Sequence, residues 1–374
     1  MSRYNISTNY FVVYFLIRFP NTILKIILKI SKSFPEVHCL VSSILSSKRQ
    51  RKKIYNKTSD ALNNGSMKQK CIVFIDNCYG GITDCFKSIV SLYEFCLKNN
   101  LKFKIYKNSP FDFSEYFQPS KYNWNVSDSE FRIMLDSNVL HVWLSNDPMY
   151  KENTWRYQQD TLLYLLNSNQ FEYIFVYYSA PHKLSSKSFN ELFKPTLKLQ
   201  NVINDFKDKI NNEYISASFR FVNLLSDSNE LVDGYDVLPV DDSKKLINAN
   251  ICVLKKLINN NPYKSYLVTS DSYKFITAVE NSNIKNVYFI KGEEIHHHIA
   301  FSDIVSDKEI TKSYVEFMLI SEASTAFQIQ IGPMYESKFP KWAACVNNVP
   351  YYLIRLGSIY DVDKEINPMI ISYN

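Results

Sequence analysis

The chain has 374 residues, is 46% hydrophobic and 15% aromatic, and carries a formal net charge of +6. That length suits two domains better than one core, and the apolar content excludes extensive disorder. The mild charge fits anionic small ligands or an anionic membrane surface rather than a dedicated nucleic-acid binder. Seven cysteines without a C-x-x-C pair read as reduced thiols of a cytoplasmic protein.

The first segment is "YFVVYFLI", Tyr10 to Ile17, apolar but closed off by Arg18 and Pro20. It falls short of the roughly 20 apolar residues that a spanning helix needs, and no small-residue cleavage site follows it. "NTILKIILKISK" then sets apolar residues at helical spacing among lysines, and "KRQRKK", Lys48 to Lys53, adds a basic cluster. Two readings of residues 1–55 stand side by side. One is an amphipathic, basic segment peripheral on the inner membrane face and dispensable for folding. The other is a packed helix pair with a solvated basic end. Residues 56–70 are polar and read as a linker.

"CIVFI", Cys71 to Ile75, predicts a strand, and "DNCYGGITD" a turn containing Gly80 and Gly81. Phe86, Ile89, Val90, Tyr93 and Leu97 mark one face of a helix capped by Thr83 or Asp84. "LKFKIY" completes a βαβ unit. Strands follow at "VLHVWL" and "FEYIFVYY", then a helix with Leu199, Val202, Ile203, Phe206 and Ile210 on one face. "YISASFRFVNLLSD", Tyr214 to Asp227, begins as a strand that ends on Arg220, and a guanidinium there needs an anionic partner. The series continues with "SYLVTS", a helix from Ser272, "NVYFI", a helix over 312–321, "AFQIQI", a helix around Trp342 and "PYYLIRL". Strand–helix alternation predicts two parallel α/β domains, 71–210 and 211–374, divided near Asn211. Sheets of this kind bind ligands beyond the carboxyl ends of their strands, where the Gly80 turn, Arg220 and Asp271 stand. No G-x-G-x-x-G or Walker pattern is present, which disfavours a nicotinamide cofactor or a P-loop. Glu293, His296 and His297 have metal-compatible spacing but no second ligand cluster, so no metal site is expected.

Four blocks, in order, carry a family resemblance: "YGGITDCFKSIVSLYEFCLKNNLKFKIY", "YISASFRFVNLLSD", "YLVTSDSYKF" and "YESKFPKWAACVNNVPYYLI". Over roughly 71–355 the chain resembles the fucosyltransferase superfamily that joins α-1,2-, α-1,6- and protein O-fucosyltransferases with the bacterial nodulation type. The blocks are similar to its glycine turn, its H-x-R-R strand, its T-D-D strand end and its late S-S-F-S-x-W-A segment. Ser218 stands where the family has histidine, Phe221 replaces the second arginine, Cys85 the arginine after the glycine turn, and Lys338 a late serine. The resemblance implies a GT-B-like pair of Rossmann-like domains, with the acceptor on the first and a nucleotide sugar on the second. It implies metal-independent, inverting transfer of fucose or a related sugar from a GDP-sugar, with no other cofactor, to a glycan acceptor in surface polysaccharide biosynthesis.

The same resemblance assigns Arg220 to the donor diphosphate and Asp271 to the guanine base. It sets Gly80, Gly81, Ser218, Asn223, Ser270, Ser337, Lys338 and Phe339 along the donor, and one histidine of the loop over 292–303, His298, is read as touching the donor as well. A fixed guanidinium stabilises the charge that builds on the leaving phosphate more in the transition state than before it, and its planar fork suits phosphate. Asp84 is the first candidate for the base that takes the acceptor proton, with Glu322 and Asp227 behind it. Structural alternatives accompany each site: a salt bridge for Arg220, and helix caps for Asp84, Asp271 and Ser337–Phe339. Two functional alternatives remain, a binding protein without turnover and a transferase using another nucleotide sugar.

Overall fold

The continuous apolar runs become parallel strands because helices cover both faces of each sheet, so neither face needs polar residues. In the computed structural model, residues 19–54, 70–75, 81–107, 112–137, 139–144, 153–166, 171–177, 183–210, 213–227, 234–291, 307–363 and 369–370 are described. The predicted 56–70 linker lies almost wholly outside them. The chain forms two units. The first comprises Met1–Gly80, Asp84–Ser114 and Pro119–His182, and the second Gly81–Thr83, Glu115–Gln118 and Lys183–Asn374.

The first unit opens with helices α1 (Asn21–Ile30) and α2 (Pro35–Ile54) and continues through β1 (Cys71–Ile75), α3 (Ile82–Lys98) and β2 (Lys102–Tyr106). After the short strand β3 (Phe117–Pro119), whose first two residues belong to the second unit, come α4 (Asp128–Leu135), β4 (Val139–Trp143), α5 (Thr154–Leu166) and β5 (Tyr173–Tyr177). The four long strands form a parallel sheet of order β2-β1-β5-β4. Helix α4 starts with a capping box, Ser127 accepting from the Glu130 N–H while the Glu130 carboxylate accepts from the Ser127 N–H. Helix α2 packs on α5 and on the edge strand β4. Its Cys39, Leu40, Val41, Ile44 and Leu45 are buried, and Thr161 on α5 donates to the Cys39 sulfur. The membrane reading of residues 1–55 as a dispensable appendage is therefore corrected for α2. The described part of this helix is core, because its apolar face packs on the edge strand β4 and on α5.

The second unit contains α6 (Ser186–Leu192), β6 (Phe193–Pro195), α7 (Leu197–Ile210), β7 (Tyr214–Phe219), α8 (Val240–Asn260), β8 (Ser265–Ser270), α9 (Tyr273–Asn281) and β9 (Val287–Tyr288). It ends with α10 (Asp307–Glu322), β10 (Thr325–Ile331), α11 (Phe339–Val346), β11 (Tyr351–Leu356) and β12 (Met369–Ile370). Its sheet has the order β12-β11-β10-β7-β8-β9, parallel except for the edge strand β12. The division falls after His182 rather than near Asn211. Helix α7 buries Leu199, Ile203 and Ile210 and packs against α10 and β8; its amphipathic pattern alone does not say which sheet it covers.

One apolar cluster of the second unit lies on one face of its sheet. Ile215, Ala217, Phe219 and Phe221 meet Tyr266 and Val268 of β8, Ile329 and Ile331 of β10, and the inner faces of α8 and α9. Phe275 of α9 contacts the rings of Phe219 and Phe221 at 4.7 and 5.0 Å. Strand periodicity then sends Ser216, Ser218 and Arg220 to the opposite face.

Candidate functional site

From β7 the chain runs through β8 and β9 to one side, then returns to β10 and β11 on the other. The carboxyl ends of β7 and β10 therefore flank a topological switch point, the place where open parallel sheets receive ligands. Two polar rows lead up to it. Gln328, Ser218 and Thr269 are register partners across β10, β7 and β8, and Thr269 donates to Ser218 at 2.8 Å. Two residues further along the same register, just past the paired strand ends, Gln330, Arg220 and Asp271 form the next row on that face.

Arg220 sits at the switch point with 14% of its side chain exposed, and its guanidinium lies 3.4 Å from the Asp271 carboxylate. Asp271 is 1% exposed, and its two oxygens accept the backbone N–H groups of Phe221 at 2.9 Å and Val222 at 2.7 Å. Each Asp271 oxygen accepts one backbone N–H and only 1% of the side chain is exposed, so the carboxylate braces the turn that carries Arg220 and has just its second lone pairs left for a guanine base. The helix cap expected of Asp271 is supplied instead by Ser272, whose hydroxyl accepts the Phe275 N–H at 3.0 Å.

That turn is strained. Val222 has φ +56° and Ser226 φ +60°, a left-handed conformation that is unusual for any L-residue and most of all for a β-branched one. Asp271 holds one end of it. At the other, Asp227 accepts from the Ser272 hydroxyl and the Lys274 N–H, both at 2.7 Å, while Lys274 donates to the Leu225 carbonyl. Asn223 is half-buried between buried Val222 and Leu224. Asp227 thus caps the start of α9 through one of its two oxygens. Glu322 lies at the opposite, amino end of the strands, two residues before Ser324, whose N–H donates to the Tyr214 carbonyl at the start of β7, and is paired with Lys207 at 2.6 Å.

The third wall is the loop from Gly332 to Lys338. Gly332 takes φ +53°, a conformation glycine adopts without Cβ penalty. The Tyr335 N–H donates to the Arg220 carbonyl at 3.2 Å, which ties the ends of β7 and β10 together. Gln328, with its amide nitrogen toward Tyr351 and the Ser337 carbonyl, donates to both at 2.5 and 2.7 Å, and its oxygen accepts the Ser337 N–H at 2.6 Å. Gln330 donates to Met334 and accepts from Arg355. Glu336 accepts from Lys338 and Arg355, and the Lys338 ammonium, followed by the Arg355 guanidinium, holds its carboxyl below the usual range. Gln328, Gln330, Glu336 and Arg355 escape the motif reading; the alternation in "AFQIQI" places both glutamines on the polar face and is the signal for them.

Ser337, Lys338 and Phe339 do lie at the start of α11, but few of the N–H groups expected to hold a phosphate there are open. Phe339 N–H donates to the Ser337 hydroxyl at 3.2 Å, Ser337 N–H is bound to Gln328, and Pro340 has none. A phosphate at this terminus competes with Ser337 for the Phe339 N–H. Ser270 faces away from Arg220, its hydroxyl accepting the Ser272 N–H at 3.1 Å, and lines a small cavity of about 40 Å³ with Tyr273, Ile276 and Lys291.

In the first unit, Asp84 is in the opening turn of α3, 36% exposed and 2.6 Å from the buried Lys87. Gly81 is exposed just before that helix. A cavity of about 280 Å³ opens at the end of β2, lined by Tyr106, Asp112, Ser114, Asn125 and Asp128 among others. Gly80, His298 and the triad Glu293, His296 and His297 lie outside the described residues. Among the described residues no cluster of metal-ligating side chains occurs.

No protein-family model matches the sequence, and no curated protein matches it. Solved structures do match the fold. The fucosyltransferase NodZ from Bradyrhizobium has 11% identity and a TM-score of 0.52, over 82% of this chain and 100% of its own. NodZ α-1,6-fucosyltransferase soaked with GDP-fucose gives 0.51 over the same shares, again at 11% identity. A FUT1 variant of Arabidopsis thaliana in complex with GDP, 12% identical, gives 0.51 over 88% of this chain and 82% of that one. The chain thus has the two-sheet α/β fold of these fucosyltransferases, the GT-B-like architecture that its sequence blocks imply.

Proposed function

We propose that the chain is a glycosyltransferase that moves fucose or a related sugar from a GDP-sugar to a glycan acceptor. The transfer inverts the anomeric carbon without a metal and serves surface polysaccharide biosynthesis. One observation carries the reading: in a fold shared with GDP-bound fucosyltransferases, Arg220 stands at the topological switch point of the second sheet, fixed by a buried carboxylate and a strained turn. As the bond from sugar to phosphate breaks, negative charge grows on the departing oxygen. Arg220 meets that charge already oriented, so little reorganisation is needed. Asp84 is the carboxylate kept as acceptor base, and the polar and aromatic cavity at the end of β2 suits sugar hydroxyls on the acceptor side.

The test compares wild type with Arg220→Lys and Arg220→Ala. Lysine keeps a charge beside Asp271 but loses the fork, so both variants are expected to lose about 10²–10³ in transfer rate and to bind GDP more weakly. Transfer from GDP-fucose by wild type is expected to be unaffected by EDTA. GDP affinity and turnover that survive Arg220→Lys unchanged would overturn the reading, and tighter binding of a uridine or thymidine diphosphate sugar would replace the donor. A second reading, nucleotide-sugar binding without turnover, draws on Asp271 already compensating the arginine charge and on Ser218 replacing the family histidine; GDP affinity without GDP release from GDP-fucose would favour it.

A further inference from the structure

The outer face of α1 matches neither a core helix nor a solvated one. Leu24 is buried, and α1 packs on α2, which accounts for one side. On the other side Ile26 is 59% exposed, Ile30 70% and Phe34, just beyond the helix, 66%, with Ile23 and Val37 also exposed. Ile23, Ile26 and Ile30 are spaced as one helical stripe. Five of the fifteen large apolar side chains exposed among the described residues fall within these fifteen consecutive positions. Scattered exposed apolar residues need no explanation, whereas a contiguous patch marks a contact surface.

Charge identifies the partner. Lys25, Lys29 and Lys32 stand exposed beside the stripe, and the segment from Phe19 to Ser46 holds a single acidic residue, Glu36. An apolar stripe edged by ammonium groups that reach past it on flexible stems is the pattern of a helix lying in the headgroup layer of an anionic bilayer. A second copy of the chain would bring three more lysines against these and no matching carboxylates. Helix α2 holds α1 from beneath, so the whole first unit would dock by this face. No helix among the described residues is long and apolar enough to cross a membrane.

We infer that the face formed by Ile23, Ile26, Ile30 and Phe34, with Lys25, Lys29 and Lys32, docks the protein on an anionic lipid surface. The inference does not depend on the donor or on turnover, so its test is separate from that of the proposed function. Full-length protein is sedimented with phosphatidylcholine vesicles with and without phosphatidylglycerol, at low and high salt. Binding is expected only with the anionic lipid, weakened by salt. The double variant Ile26→Asp with Ile30→Asp is expected to lose at least about tenfold in partitioning, given roughly 0.8 kcal/mol per buried CH₂. Lys29→Gln is expected to lose about fivefold, the equivalent of about 1 kcal/mol. Both substitutions fall on exposed positions, so circular dichroism and melting temperature should match wild type. Absence of wild-type binding to the anionic vesicles overturns the inference, and so does binding that survives the double aspartate variant. Light scattering that shows a wild-type dimer converted to monomer by the same variant also overturns it, in favour of a second copy.

Discussion

Replacing Asp271 by asparagine separates a ligand contact from a structural anchor. In the structure the carboxylate is buried, accepts two backbone N–H groups at 2.9 and 2.7 Å and lies 3.4 Å from a guanidinium. Asparagine keeps the shape but has one oxygen; its amide nitrogen must face either the Phe221 or the Val222 N–H, donor against donor. It also leaves Arg220 without its counter-charge. Each charge-assisted bond contributes about 1.5–3 kcal/mol, and removing one member of a buried pair costs about 3–5 kcal/mol. In a unit of this size each kcal/mol lowers the melting temperature by roughly 2–4 °C, so the expected loss is about 6–20 °C. Asp271→Ala should be as bad or slightly worse, because asparagine recovers at most one neutral bond, about 1 kcal/mol. The strained φ at Val222 costs about 1–3 kcal/mol and is sustained by this anchor, so amide exchange at 221–226 should accelerate in both variants. Scanning calorimetry with exchange mass spectrometry reads both effects. If Asp271→Asn melts within about 2 °C of wild type, or the turn keeps its protection, the anchoring role is wrong and a role toward a ligand regains ground.

A chain beginning at Ser66 lacks Cys39, Leu40, Val41, Ile44 and Leu45, all buried in the first unit. At about 1.5–3 kcal/mol each the loss is on the order of 10 kcal/mol, comparable with a domain's whole stability, so exchange protection in α5 and β4 should collapse; retained protection would return α2 to the surface. Glu336 supplies the pH test. Its carboxyl is depressed by Lys338 and Arg355, so its contribution is present above the ordinary carboxylate value and is lost as pH falls through the depressed one. The acid-side fall in melting temperature should be smaller in Glu336→Gln, and modest in both because the pair is largely solvent-screened; an identical fall would remove Glu336 from the loop's support.

The sequence by itself determined the strands and most of the helices between them, because continuous apolar runs bounded by polar turns have few other ways to be buried. It also placed Ser216, Ser218 and Arg220 on one face of β7, since strand periodicity is a local property. What Arg220 faces is not local. Its partner Asp271 and the bonds from that carboxylate to residues 50 positions away exist only because β8 lies beside β7 in a particular register. The pairing of Gln328 with the Ser337 backbone likewise depends on β10 crossing back to the other side of β7. The fate of the N-terminal helices shows the same limit. Apolar residues at helical spacing among lysines describe α1 and α2 alike, and amphipathicity says that a face will be covered, not by what. Only the tertiary structure decided between them: the edge strand β4 and α5 take up the apolar face of α2, and among the described residues no such surface covers the outer stripe of α1.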